Sequence, residues 1–173
     1  LKALSTIKKL PKDYQVYKKG FYAQSYNNLG RVVLKLDQYK ESENYFKKGL
    51  RQKGLKQSFP STYFALVDNY NQLNYLSGNS ADYVEMLKKS IKVNDSLNNS
   101  DGVLQSQIRL SKFYLTEGNS NDAKKYAHSA YINAITKKAI KYELEALRLL
   151  AQTDDQNTKK YYEEYIKTKD SVI

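Results

Sequence analysis

The sequence predicts an all-α protein built from repeated helix pairs, and three observations support this prediction. The 173 residues include only 2 Pro and 7 Gly. Apolar residues recur at helical spacing over long segments, and short polar turns separate these segments. A spacing of large and small residues within 26–49 also returns 81 residues later, within 107–130. Self-similarity of this kind is typical of proteins that stack helical repeats.

The first predicted elements are three helices. Apolar residues at every third position of 1–10 predict a leading helix, which is either an N-terminal cap or the second helix of a truncated repeat. A longer helix is predicted from Pro11, because proline favours the first helical position. This helix either runs for about 24 residues or breaks near Gly20. After a turn at 37–38, residues Tyr39–Leu50 are predicted to form its antiparallel partner.

The repeated pattern places large residues and a small one on the first helix of a pair, and small residues around a larger one on the second. It reads Tyr26-x-x-Leu29-Gly30-x-x-Val33 with Ser42-x-x-x-Phe46-x-x-Gly49, then Gln107-x-x-Leu110-Ser111-x-x-Tyr114 with Ala123-x-x-x-Ala127-x-x-Ala130. Weaker copies are Leu66-x-x-Asn69-Tyr70-x-x-Leu73 with Tyr83-x-x-x-Leu87-x-x-Ser90, and Leu144-x-x-Leu147-Arg148-x-x-Ala151 with Thr158-x-x-x-Tyr162-x-x-Tyr165. The small residues are expected to let paired helices approach closely.

This pattern resembles the tetratricopeptide repeat. The resemblance implies a right-handed superhelical array of antiparallel helix pairs, a tetratricopeptide-like α-solenoid with about four repeats plus a leading helix. The expected boundaries are 1–22 for the leading helix and the start of the long first helix, then 23–56, 60–99, 101–137 and 138–173 for the repeats. The last repeat is expected to be atypical because a terminal repeat packs on one side only.

The repeats are longer than the standard motif. Their offsets are 40–41, 40–41 and 35–37 residues, whereas the tetratricopeptide period is about 34. The extra residues fall mainly at 51–61 and 93–102, which predicts either longer helices or wider linkers. HEAT and armadillo repeats, at ~40–47 residues, are the alternative class. The Leu-Gly pair and the Ala-x-x-x-Ala-x-x-Ala stripe favour the tetratricopeptide class.

The charge of the chain favours an acidic partner over nucleic acid. The net charge is +11, and it comes from 25 Lys with only 4 Arg. Nucleic-acid readers usually rely on Arg for forked contacts to phosphates and bases. The lysines are scattered in pairs, and we interpret most of them as solvated rather than as part of a nucleic-acid or anionic-membrane site. A positive surface still accelerates association with acidic proteins.

The sequence lacks the groups that enzymes and metal sites need. There is no Cys, and His128 is the only histidine. No phosphate-binding, dinucleotide-binding, metalloprotease or serine-hydrolase motif occurs. We interpret the acidic neighbours Asp154-Asp155 and Glu163-Glu164 as solvated. The sequence therefore predicts no catalytic residue, no metal site and no cofactor.

The resemblance implies a ligand groove on the concave side, lined by the first helix of each pair. It places these polar residues there: Gln24, Asn27, Arg31, Lys35, Asn71, Asn74, Tyr75, Gln105, Arg109 and Lys112. Amides would pair with the backbone of a bound peptide, and Arg or Lys would hold its carboxylates. Gln105 and Asp68 replace the Lys and Asn of members that grip a terminal carboxylate, which argues against that mode. In the alternative interpretation, these residues only hydrate an empty groove.

The end of the chain suggests a cellular context. Residues 161–173 resemble the end of repeat regions in membrane-anchored bacterial sensors, where a membrane span and a histidine kinase or helix-turn-helix domain follow. The abundance of Lys, Asn and Tyr indicates an AT-rich genome, and Leu1 is not an initiator. We therefore expect part of a longer, membrane-anchored periplasmic protein. The alternatives are a soluble cytoplasmic adaptor or assembly factor with an acidic partner, and an enzyme accessory subunit. A dimer interface at 1–20 is left open.

Overall fold

The computed structural model describes residues 2–9, 11, 14–79 and 81–171, and this part of the chain is all-helical. Helix accounts for 82% of the described residues, and no strand occurs among them. The helices are α1 (Lys2–Lys8), α2 (Gln15–Leu34), α3 (Tyr39–Leu50), α4 (Leu55–Ser58), α5 (Pro60–Leu76), α6 (Tyr83–Ser96), α7 (Ser100–Thr116), α8 (Ser120–Thr136), α9 (Ile140–Thr153) and α10 (Thr158–Asp170). Leu1 and Leu10 of the predicted leading helix lie outside the described residues.

The chain forms two compact units, 1–86 and 87–173, with the division inside α6. In unit 1, α2 packs on α3, and both helices contact α5, while α1 packs on α2 and α4 lies against α2 and α5. In unit 2, α7 packs on α8, α8 on α9, and α9 on α10. The predicted packing of adjacent helices is therefore confirmed within each unit. The right-handed superhelix stays a prediction.

The first helix pair closes through small residues. A Cβ at Gly30 of α2 would lie 2.5 Å from Cε1 of Phe46, which is fully buried in α3. The Ser42 hydroxyl of α3 donates a buried hydrogen bond of 2.9 Å to the Gly30 carbonyl. Further along the same face of α3, a Cβ at Gly49 would lie 2.7 Å from a methyl of Leu66 on α5. The small residues are thus where neighbouring helices approach most closely, as the pattern predicts.

Unit 2 repeats this geometry with alanines. The stripe Ala123, Ala127, Ala130 and Ala134 of α8 is fully buried. The Ser111 hydroxyl of α7 donates a buried hydrogen bond of 2.8 Å to the Ala123 carbonyl. Both bonds join residues that are 12 apart in sequence. The donor, Ser42, is on the second helix of the first pair, whereas Ser111 is on the first helix of its pair. The positions that the sequence pattern equates are therefore in equivalent contact.

Five helices of the described ranges end in the same kind of turn. A residue in the left-handed conformation follows each of α2, α5, α6, α7 and α8; these residues are Asp37, Gly78, Asn98, Gly118 and Lys138. The next amide then donates to the carbonyl five residues earlier, as in Gln38 to Val33 at 3.0 Å and Asn119 to Tyr114 at 2.9 Å. This is the Schellman arrangement, which satisfies carbonyls at a helix end. The last four left-handed residues follow at intervals of 20 residues.

The structure settles which segments absorb the extra length. At 93–102, α6 continues to Ser96 and α7 begins at Ser100, so the helices are longer. At 51–61, a left-handed Gly54 precedes the short helix α4, so the linker is wider. Helix α4 was not predicted, because the residues of this linker show no helical periodicity.

The long first helix differs from its prediction at its start. It begins at Gln15 rather than at Pro11, and it runs without a break through Gly20. A Cβ at Gly20 would lie 2.8 Å from the Phe59 ring, so the glycine makes room for that ring inside an intact helix. Its partner α3 spans Tyr39–Leu50, which confirms the predicted bounds.

The predicted register of the last helix is wrong by one residue. Tyr162 is 48% exposed, although the pattern equates it with the buried Ala127. Instead, Tyr161 packs against the core of unit 2. Helix α10 buries no residue completely, since it packs on α9 through one face. Tyr161, which is not a position of the predicted pattern, therefore makes the core contact in place of Tyr162.

Candidate functional site

Within unit 1, three of the four groove residues predicted on α2 and its C-terminal cap form an accessible stripe. Gln24 and Lys35 are exposed, and Arg31 is half-buried. Asn28 is also exposed on this stripe, and its side-chain oxygen accepts a 3.3 Å hydrogen bond from Gln24. The sequence analysis did not select Asn28, although its position four residues after Gln24 indicates the same helix face. This stripe offers two amides and two cations to a ligand.

The face of α5 that belongs to this site is also accessible. Asn71 and Asn74 are half-buried and three residues apart, so they lie on one side of the helix. Helix α5 packs directly against α2. The four amides of the two helices therefore lie on adjacent helices of one compact unit. Amides can donate to and accept from a peptide backbone, so this is the chemistry expected of a peptide-binding face.

Two of the predicted unit 1 residues hold the fold together. Asn27 is 2% exposed, and its side-chain oxygen accepts a 2.8 Å hydrogen bond from the Asn69 side chain of α5. Tyr75 stacks on the buried Tyr83, with ring centroids 4.4 Å apart and planes within 5°. Buried amides need such partners because an unpaired polar group in the interior is costly. Sequence alone did not separate these residues from those that face water.

In unit 2, the predicted residues differ in accessibility. Gln105 is half-buried, whereas Arg109 is 7% exposed and already has partners inside the protein. Lys112 is exposed, and its ammonium group forms an ion pair with Glu145 of α9. Most of α7 between 104 and 111 is buried. A ligand role for Arg109 would therefore require its side chain to leave its present contacts, and it stays a prediction.

A buried carboxylate joins three helices of unit 2. Asp154, at the end of α9, is 6% exposed and lies 2.7 Å from the Lys124 ammonium of α8. The side chain of Asn157 donates to it at 3.0 Å, and the Tyr161 hydroxyl of α10 at 3.4 Å. The bond from Lys124 is the largest cause that lowers the Asp154 pKa, and the bond from Asn157 adds to it. The interpretation of Asp154 as solvated is therefore wrong, while Asp155 is exposed as expected.

The second acidic neighbour pair also divides into one structural and one solvated residue. The Tyr131 hydroxyl of α8 donates to the Glu164 carboxylate of α10, whereas Glu163 is exposed. Burial, followed by this bond, raises the pKa of Tyr131. Within the described ranges, no group of three or more metal-ligating side chains converges. Glu164, through Tyr131 of α8, and Asp154, through Tyr161 of α10, thus attach α10 to α8 and α9.

The described helices were compared with the length and apolar character of membrane-spanning helices. None of them combines the length and the apolar character that crossing a bilayer requires.

No protein-family model matches the chain, and no curated protein matches it.

Proposed function

We propose that this chain is a non-catalytic protein-binding domain of the tetratricopeptide type. The observation that carries the proposal is the contact geometry of the small residues. Gly30 contacts Phe46 within a pair, Gly49 contacts Leu66 of the next first helix, and Ser42 bridges the pair by a hydrogen bond. These are the positions at which the repeat pattern requires small side chains. Proteins built from stacked helix pairs present extended binding surfaces.

The proposed ligand is an extended or helical peptide segment with acidic character. It would lie along the face formed by Gln24, Asn28 and Arg31 of α2 with Asn71 and Asn74 of α5. The amides would pair with its backbone, while Arg31 and Lys35 would attract its carboxylates. Asn27 would support this face from below by holding α5 against α2.

Site-specific photocrosslinking in the cells that make the protein tests this proposal. A photoreactive amino acid is placed at Asn74 or Gln24 on the proposed face. The matched control is Asn44, an exposed amide on α3 that lies outside this face. We expect a discrete adduct from Asn74 and Gln24 that excess unlabelled domain competes away. Adducts that form only from Asn44, or none from any position, would refute the binding face.

The context that we propose for this domain is the sensing or scaffolding region of a bacterial histidine kinase or helix-turn-helix regulator in the periplasm. The similarity of 161–173 to the ends of such regions supports it. The alternative is a soluble adaptor or assembly factor. The mass and compartment of the protein that contains these residues in its native cells distinguish the two. A membrane-bound species that continues into an output domain supports the regulator, and a soluble species supports the adaptor.

A further inference from the structure

A dense group of positive charges lies between the end of α3 and the short helix α4. Its basic side chains, here named the basic turn, are Lys47, Lys48, Arg51, Lys53 and Lys56. All five residues are exposed. No acidic residue occurs in 44–67, so Glu43 and Glu41 are the nearest acidic residues that precede the basic turn in sequence.

One of the five charges is neutralised, and four remain available. Lys47 pairs with Glu43 at 2.7 Å. In the part of the chain that the structure describes, Lys48, Arg51, Lys53 and Lys56 form no ion pair. A cluster of four exposed cations next to a left-handed turn at Gly54 is a site of concentrated positive potential. Such a cluster attracts an anionic surface.

The aromatic neighbours of the basic turn argue against nucleic acid as the partner. The Lys48 ammonium lies 5.8 Å from the ring centroid of Tyr45, and the Lys56 ammonium lies 5.8 Å from that of Tyr63. The lysines therefore cover ring faces that unpaired bases would need for stacking. Only one of the five cations is Arg, so forked contacts to phosphates or bases are few.

We propose that the basic turn binds the surface of an anionic phospholipid bilayer. Lysine acts as a compact point charge, and a dense layer of anionic headgroups offers many counter-charges without demanding a fixed geometry. Clusters of 4–8 cations next to a membrane bind such surfaces through this mechanism. The inference is independent of the proposed peptide-binding face, because none of the five residues belongs to that face.

The test is co-sedimentation of the whole chain with vesicles of equal parts phosphatidylcholine and phosphatidylglycerol, and with vesicles of phosphatidylcholine alone. We expect binding only to the anionic vesicles at ~0.1 M salt, and its loss near 1 M salt, where charges are screened within about 3 Å. The double variant Lys53→Gln/Lys56→Gln should bind about 30-fold more weakly, the effect of two lost charges near the surface.

A matched variant separates the basic turn from net charge. Lys159→Gln/Lys160→Gln removes the same two charges from α10, where Glu163 and Glu164 follow, and should change binding less than about threefold. Circular dichroism verifies that both variants fold. Equal weakening by both variants, or no binding to anionic vesicles, would overturn the proposal. The proposal would also be overturned if binding to single-stranded RNA or polyglutamate required Lys53 and Lys56 and binding to anionic vesicles did not.

Discussion

Replacing Gly30 with alanine tests the packing of the first helix pair most directly. The new Cβ would lie 2.5, 2.7 and 3.0 Å from three ring atoms of Phe46. Carbon atoms in contact prefer about 3.5–4.0 Å, so the overlap is roughly 1 Å. Phe46 is fully buried, so its ring cannot swing out into solvent to relieve the overlap. Helices α2 and α3 must therefore separate.

The expected cost follows from three contributions. Overpacking of this kind costs about 1–3 kcal/mol. Separation of the helices also stretches the 2.9 Å bond from Ser42 to the Gly30 carbonyl, and a buried hydrogen bond contributes about 1 kcal/mol. In the opposite direction, alanine favours helix over glycine by about 1 kcal/mol. We therefore expect Gly30→Ala to lower the free energy of unfolding by about 1–3 kcal/mol.

Urea denaturation followed by far-UV circular dichroism measures this change, and two further variants sharpen it. Phe46→Leu should relieve the clash, so the double variant should be more stable than the sum of the single effects predicts. Gly49→Ala would bring its Cβ to 2.7, 2.9 and 3.4 Å from three atoms of the Leu66 side chain, which is a smaller overlap than at Gly30, and it should cost less. If Gly30→Ala were as stable as the wild type or more so, helix propensity would dominate and the packing argument would be refuted.

Three further substitutions test the turns, the buried carboxylate and the buried amide pair. Lys138→Gly should raise the free energy of unfolding by about 0.5–1 kcal/mol in thermal or urea denaturation, because glycine relieves the strain of its φ of 54°. Asp154→Asn removes the charge that faces Lys124 and should lower the melting temperature near pH 7. The pKa of Asp154 is lowered from 3.8 in the folded state, so the ion pair stabilises the fold above pH 3.8 and this stabilisation is lost as the pH falls through the folded-state pKa. The melting temperatures of the wild type and of Asp154→Asn should therefore converge below the folded-state pKa. Asn27→Ala leaves the Asn69 amide without this acceptor and should cost about 1–3 kcal/mol in urea denaturation.

Controls for these substitutions are available in the same chain. Asn98→Gly alters an equivalent turn where asparagine already tolerates the left-handed conformation, so its gain should be smaller than that of Lys138→Gly. Asp155→Asn changes the same charge at an exposed neighbour and should leave the melting temperature almost unaltered. A gain from Asn98→Gly equal to that from Lys138→Gly would contradict the strain argument, and a pH-independent loss in Asp154→Asn would contradict the charge argument.

The sequence predicted the helix pairing well because small and large residues fix where helices approach. The bounds of α3 were predicted to the residue, since its small positions are also the positions of contact. The start of α2 was misjudged because proline at 11 is compatible with a turn as well as with a first helical turn. Helix α4 was missed because 51–59 lacks apolar periodicity.

The candidate site was harder to predict, because the type of a polar residue does not indicate whether its side chain is buried or exposed. Asn27 and Asn71 both stand on first helices of the pattern, yet Asn27 faces Asn69 in the interior and Asn71 remains half-exposed. The position of Asp154 likewise depended on Lys124, 30 residues earlier, and no local pattern reveals that pairing. Long-range polar partners of this kind become visible only once the helices are assembled.

The turns at 20-residue intervals also influence how unit 2 folds. Helices α7, α8, α9 and α10 each pack on the helix next to them in the chain, so closing each contact requires only a short loop. Short loops lose little entropy on closure, and folds dominated by sequence-local contacts reach the native state in microseconds to milliseconds. We expect the segments between these turns to add one after another during folding. We therefore expect folding to begin on the ribosome before the last helix of unit 2 has been synthesised.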